Sequence, residues 1–159
     1  SEIHPRVLAR SPDFKVILVG KNPTEEVRSF AALPGVEFAG EVPDVRPFYQ
    51  KSWLQIVPLR IGGGTRLKIS EGLAMANPVV STTLGAQGLE LDHERHLLLA
   101  DSAADFASAM LRYLGDESLR RSHGAAGRTR ILETYTWSAL GRRLVRRLEA
   151  LSNPEPAPR

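Results

Sequence analysis

Between residues 53 and 81 the chain runs from an apolar strand-length segment into three glycines, then a helix-period segment, then a second apolar strand. Asn77-Pro78 ends the helical stretch before that second strand, because proline cannot continue a helix. Strands alternating with helices are the pattern of a parallel α/β sheet. The alternation extends both ways, with strands predicted at 14–19, 36–39, 53–58, 78–81 and 96–100, and helices at 24–33, 45–51 and 66–76. The strands are short and mostly apolar, as expected of strands covered on both faces. Thr24, followed by Glu26 and Val27, reads as a helix cap. A doubly wound, Rossmann-like domain follows.

Past Ala100 only helices are predicted, at 102–114, 117–134 and 138–151. Phe106, Met110, Leu111 and Leu114 form one apolar stripe, and Leu140, Leu144, Leu148 and Leu151 another; both are expected to face the core. Residues 2–11 read as the last turns of a helix, with Val7 and Leu8 on its apolar side and Ser11-Pro12-Asp13 as its stop. Residues 1–151 are expected to form one domain and the proline-rich 152–159 a disordered tail.

No apolar run approaches the ~20 residues that span a bilayer, and no secretory leader opens the chain. The absence of cysteine excludes disulfide and thiol chemistry and fits a cytoplasmic protein. From Arg112 to Arg147 nine arginines face three acidic residues, a local charge of +6 in a chain of +3. That run reads as a solvated helical face, with an anionic lipid surface or a protein partner as the alternatives. The four histidines lack metal-ligand spacing, so no metal is expected, and His93 and His96 read as an exposed pair. There is no Gly-Lys-Ser/Thr phosphate loop, no nucleophile elbow and no aromatic interleaving for stacking bases, so no nucleic acid partner is expected.

The candidate site is the turn itself. Gly62, Gly63 and Gly64 let backbone approach a ligand, and the N–H groups at the helix start, around Thr65, Arg66, Leu67 and Lys68, suit an anion. Arg66 and Lys68 oppose the helix dipole unless an anion compensates them. Glu71 reads either as a surface carboxylate paired with Lys68 or as an acceptor for sugar or ribose hydroxyls. The loop holding Gly85, Ala86, Gln87 and Gly88 is expected to be a flexible wall of the same site.

The run from Pro58 to Ser81, with Gly85-Ala-Gln-Gly-Leu89 behind it, resembles the C-terminal domain of group 1 (family 4) glycosyltransferases. Val16-Ile-Leu-Val-Gly20, Val36-Glu-Phe-Ala-Gly40, Val42-Pro-Asp-Val-Arg-Pro-Phe-Tyr49 and Tyr135-Thr-Trp137 are similar to the same family. The resemblance implies one half of a two-domain fold that binds a nucleoside-diphosphate sugar and transfers the sugar, with retention, to a glycan or lipid acceptor held by the other half. It implies no cofactor and no obligatory metal. Glu71 would match the second glutamate of the family's Glu-x7-Glu motif and bind the ribose. Backbone around Thr65 to Lys68 would hold the diphosphate, and Glu41 and Val42 would meet the base. Gly63 stands where the first motif glutamate is expected.

The resemblance also sets the family's first strand and its basic glycine-rich loop ahead of Ser1. In the strand order 3-2-1-4-5-6 this implies a gap in the sheet, expected to close by direct pairing of its flanking strands or by a second chain, as a dimer or strand exchange. The parent would be an enzyme and this piece inactive by itself. A non-catalytic nucleotide-sugar binding module and an arginine-rich domain docking a membrane or a partner are the rival readings.

Overall fold

The computed structural model describes residues 2–152. Its elements, in chain order, are α1 (Ile3–Leu8), β1 (Val16–Val19), α2 (Glu25–Ser29), β2 (Val36–Gly40), α3 (Arg46–Lys51), β3 (Gln55–Val57), α4 (Leu67–Ala74), β4 (Val79–Ser81), α5 (Thr83–Ala86), β5 (Leu98–Leu99), α6 (Ala103–Gly115), α7 (Glu117–Thr134) and α8 (Trp137–Ser152). All strand pairs are parallel, and the fold is the α/β class expected.

Strand alternation splits the core into two layers. Val80 and Leu98 face α1 and α6, in a cluster with Val7, Phe14, Phe106, Met110 and Tyr113. Val79 and Leu97 face α4 and α7, with Val57, Ile69, Leu73 and Ile131. Helices thus cover both faces of β3–β4–β5, as parallel strands require. Side-chain caps start the helices where the sequence supplies them: Thr24 accepts from the Val27 N–H at 3.4 Å, Ser102 from Asp105 at 3.0 Å and Asp116 from Leu119 at 2.9 Å.

α4 ends with Ala76 at φ +58°, and the N–H groups of Ala76 and Asn77 return to Leu73 and Gly72 carbonyls at 2.9 Å each, a Schellman closure usually made with glycine. α7 approaches this turn closely. A Cβ on Gly124 would strike the Ala76 carbonyl, and one on Gly127 would lie 2.6 Å from Leu73.

The sheet does not close across its middle. Among the described residues β1 pairs only with β2, and β3, β4 and β5 form a separate sheet. Direct pairing of the flanking strands, one of the two expected outcomes, does not occur: Val16 of β1 and Leu54 and Ile56 beside or in β3 rest on the same cluster without bonding each other. β2 bulges opposite Leu18 and Val19, where Gly40 takes φ +73°.

Two further expectations are corrected. The 140–151 stripe is not core: Leu144 is 61% and Leu151 68% exposed, and Ala139 is the buried residue of α8. Amphipathic spacing identifies a face that favours cover but not the element supplying it; α8 packs on α7, with Ala139 of its first turn buried, and reaches Glu90 through Arg143. His96 is not exposed but buried, its Nδ1 accepting the Asp92 N–H at 2.9 Å. Burial lowers its pKa, with Asp92 opposing. His93 does lie at the surface. α8 extends through Ser152, and Asn153 to Arg159 lie outside the described residues.

Six of the nine arginines in the basic run are tied down. Arg112 pairs with Glu94 at 2.6 Å, Arg121 with Glu117 at 2.6 Å, and Arg130 and Arg143 both with Glu90 at 3.0 Å. Arg120 lies 4.5 Å over the Trp53 ring, and Arg128 donates to the Ala74 carbonyl at the end of α4.

Candidate nucleotide-sugar site

The 58–66 turn leaves the carboxyl end of β3 and is anchored at its start. Thr82 is the fastening: its N–H donates to the Val57 carbonyl at 3.2 Å and its hydroxyl to the Leu59 carbonyl at 2.6 Å. Gly62 and Gly64 sit at φ +132° and +93°, where side chains are strained. Gly63 does not, and a Cβ there meets nothing within 4 Å.

Arg66 occupies the N-cap position of α4 and supplies no side-chain cap. Its guanidinium folds back instead, donating to the carbonyls of Gly62 at 3.3 Å and Gly63 at 3.4 Å, while its Nε is buried without a partner. The arginine therefore braces the turn; Ile69 and Ser70 donate to its carbonyl at 3.0 and 3.3 Å, and among the described residues the N–H groups of Thr65 to Lys68 have no backbone acceptor, as uncapped helix starts leave them. Thr65, Leu67 and Lys68 are all exposed.

Glu71 stands one turn further along α4 and is exposed. Among the described residues neither Glu71 nor Lys68 forms an ion pair, so the Lys68–Glu71 pairing weighed from sequence is not made. Sequence reasoning missed what supports this segment. Gln55 donates to the Lys68 carbonyl at 2.9 Å and to the Tyr49 hydroxyl at 3.4 Å, and Tyr49 donates to the same carbonyl at 3.4 Å. Burial, then the nearby Glu71 charge, raises the Tyr49 pKa. Gly72 makes the close fit possible, since a Cβ there would collide with Gln55 Oε1. A polar glutamine inside an otherwise apolar strand was the available signal.

Glu41 and Val42 follow the carboxyl end of β2, where Glu41 meets Lys21 at 3.9 Å; among the described residues no hydrogen bond or ion pair joins them to the glycine turn. The expected flexible loop at 85–88 is corrected in part. Residues Thr83–Ala86 form a helical turn, capped by Thr82 accepting from Gly85 at 2.9 Å. Asp101 accepts from the Thr83 N–H at 2.8 Å and hydroxyl at 2.7 Å, which hold its carboxyl below the usual range. Gly85 fits because a Cβ would crowd Ser81 and Thr82. Among the described residues, a concavity of about 300 Å³ lies between α7 and α8 beside Glu90 and another of about 420 Å³ between α7 and the 92–96 loop, and neither includes a residue of the turn.

The parallel α/β architecture, with an uncapped, glycine-preceded helix at a strand's carboxyl end, is an arrangement found where open α/β sheets receive phosphorylated ligands. The profile of the family "Glycosyl transferases group 1" matches residues 1–116, and the chain belongs to that family. It is 27% identical over 154 residues to the phosphatidyl-myo-inositol mannosyltransferase of Mycolicibacterium smegmatis, covering 93% of this chain and 40% of the relative. It is also 27% identical over 158 residues to a GDP-mannose-dependent monoacylated alpha-(1-6)-phosphatidylinositol monomannoside mannosyltransferase of Corynebacterium glutamicum, covering 92% and 42%. Among solved structures, HepE of Anabaena in complex with UDP superposes with a TM-score of 0.79 at 15% identity, over 94% of this chain and 44% of that one. The chain thus spans about two fifths of the length of these relatives. Among the described residues no helix is long and apolar enough to cross a membrane.

Proposed function

We propose that this chain is the donor-binding half of a retaining glycosyltransferase, which takes a sugar from a nucleoside diphosphate and passes it to a glycan or lipid acceptor bound by the other half. The observation that carries the reading is the braced glycine turn, with free N–H groups at 65–68 and, among the described residues, Lys68 and Glu71 unpaired on successive turns of α4. The diphosphate lies against the N–H groups of residues 65–68, with Glu71 accepting from the ribose hydroxyls and Glu41 and Val42 beside the base. As the glycosidic bond breaks, negative charge grows on the leaving diphosphate, and donors already aimed at it stabilise that charge. Gly63 leaves the donor sugar to backbone groups at the position of the first motif glutamate.

GDP-mannose is the first donor to try, because a relative's name specifies it. The phosphatidylinositol acceptors named for two relatives favour a lipid acceptor and work at the cytoplasmic membrane surface. The chain alone is expected to bind donor without transferring it. A thermal-shift series with GDP-mannose and UDP-glucose tests this, since a ligand of the native state raises Tm as its concentration exceeds Kd. Glu71→Ala should weaken donor binding by about 1–3 kcal/mol, the scale of a lost buried polar partner. Unchanged affinity removes Glu71 from the site, and no shift with either donor overturns the reading.

A further inference from the structure

Among the described residues β2 and β3 belong to separate sheets. Glu41 and Val42 follow the first of these strands, and the glycine turn and α4 follow the second. A nucleoside diphosphate reaching from one to the other needs a fixed spacing between them, and α3 is the element that joins β2 to β3. Among the described residues every hydrogen bond from 41–51 to α4 or to the turn after it passes through Tyr49: its hydroxyl donates to the Lys68 carbonyl at 3.4 Å, and its carbonyl accepts from Asn77 Nδ2 at 2.8 Å. Asn77 is buried and also donates to the Ser52 carbonyl at 3.1 Å, which fastens the end of α3.

Gln55 completes this junction. Its Nε2 donates to the Lys68 carbonyl at 2.9 Å and to the Tyr49 hydroxyl at 3.4 Å, while its Oε1 is buried without a partner. The Lys68 carbonyl does not need these donors, because the helix already aims it at the Gly72 N–H. An apolar side chain of the same length would spare the fold a buried orphan acceptor. A polar group that costs stability and grips a carbonyl already served points to a requirement of the site rather than of the core. Gly72 leaves the room for it, since a Cβ there would collide with Gln55 Oε1 and lie 3.4 Å from the Tyr49 ring. The junction stands beside Glu71, whose charge acts on the Tyr49 hydroxyl.

We propose that Gln55 and Tyr49 are positioning residues: acting through the Lys68 carbonyl, and without touching the ligand, they hold the first turns of α4 against α3 and so set the spacing between the diphosphate and nucleoside ends of the donor. The assignment rests on the donor reading. Its consequence is selective: loss of the junction removes the advantage that the nucleoside end gives, and leaves the glycine turn able to seat a bare pyrophosphate, because Arg66 and Thr82 brace that turn independently.

The test titrates the 159-residue chain and two variants with GDP, UDP and inorganic pyrophosphate by calorimetry. Gln55→Met keeps the side chain's length without its donor; it should weaken the better-bound nucleotide about tenfold, the scale of one net hydrogen bond, and leave pyrophosphate within about twofold. Tyr49→Phe removes only a hydroxyl held by two 3.4 Å bonds, so it tests the same junction with little risk to folding; it should weaken the nucleotide about threefold with the same selectivity. Equal losses for nucleotide and pyrophosphate would mean that the junction merely supports the fold, and no loss for the nucleotide in either variant would mean that it does nothing for the site. Either result overturns the proposal. Failure of the donor reading looks different: an unmodified chain that binds no nucleotide, or no pyrophosphate, would overturn that reading and this proposal with it.

Discussion

Strand β4 and strand β1 are both short and apolar, yet Val79, Val80 and Ser81 of β4 are wholly enclosed while Ile17 of β1 is 36% exposed. Among the described residues, β4 has a neighbour on each edge and helices on each face, and β1 has one neighbour. Apolar content is therefore not what decides burial here, since β1 is the more apolar of the two. Completed pairing is. The glycine turn hangs from the completed half, fastened beside β4 through Thr82, the rigid support that the proposed donor site requires.

The largest expected effect tests that contrast directly. Leu98→Ala, in the enclosed half, should cost about 2–5 kcal/mol in urea unfolding, and Ile17→Ala should cost roughly 1 kcal/mol, because much of its side chain is still in water. Equal costs would mean that the two halves are equally packed and that the contrast is false.

Acid sharpens it next. His123 is buried, bonded to the Tyr113 hydroxyl at 2.8 Å, and burial holds its pKa below the ordinary value, as it does for His96. Unfolded chain binds protons first as pH falls through about 6.5, so these groups contribute full stability above that value and lose it progressively below. The urea midpoint should fall between pH 7.5 and 5.5, and His123→Gln should flatten the slope. A slope unchanged by that substitution would exclude His123 as its source.

Ala76→Gly is the smallest change expected. It relieves a left-handed alanine at the end of α4 and should raise stability by about 0.5–1 kcal/mol. A loss instead would mean that the alanine methyl contributes more packing against α7 than its backbone strain costs.

The elements were legible because their periods are strong: five strands and the longer helices lie within a few residues of their sequence assignments. α5 was not legible, since its cap, Thr82, follows a strand without a break and the glycines around it read as a flexible loop. The exposed face of α8 misled for another reason: spacing records a preference for cover and is silent on whether the cover lies in the same chain. At the candidate site, the sequence marks out the glycines of the turn, Lys68 and Glu71, and the structure exposes all of them at the turn and the start of α4. Gln55 offered one signal, its polarity in an apolar strand, but what it and Tyr49 do, holding a backbone carbonyl thirteen and nineteen residues away, is not written in the local sequence.

The account depends most on the turn beside α4 receiving a diphosphate. Titrating GDP into labelled protein and following amide resonances tests it most directly. Shifts should centre on Gly64 to Lys68 and Glu71, with smaller ones at Glu41 and Val42. Shifts centred on the concavity at Arg142, Arg143 and Arg146, with the turn unmoved, would contradict it.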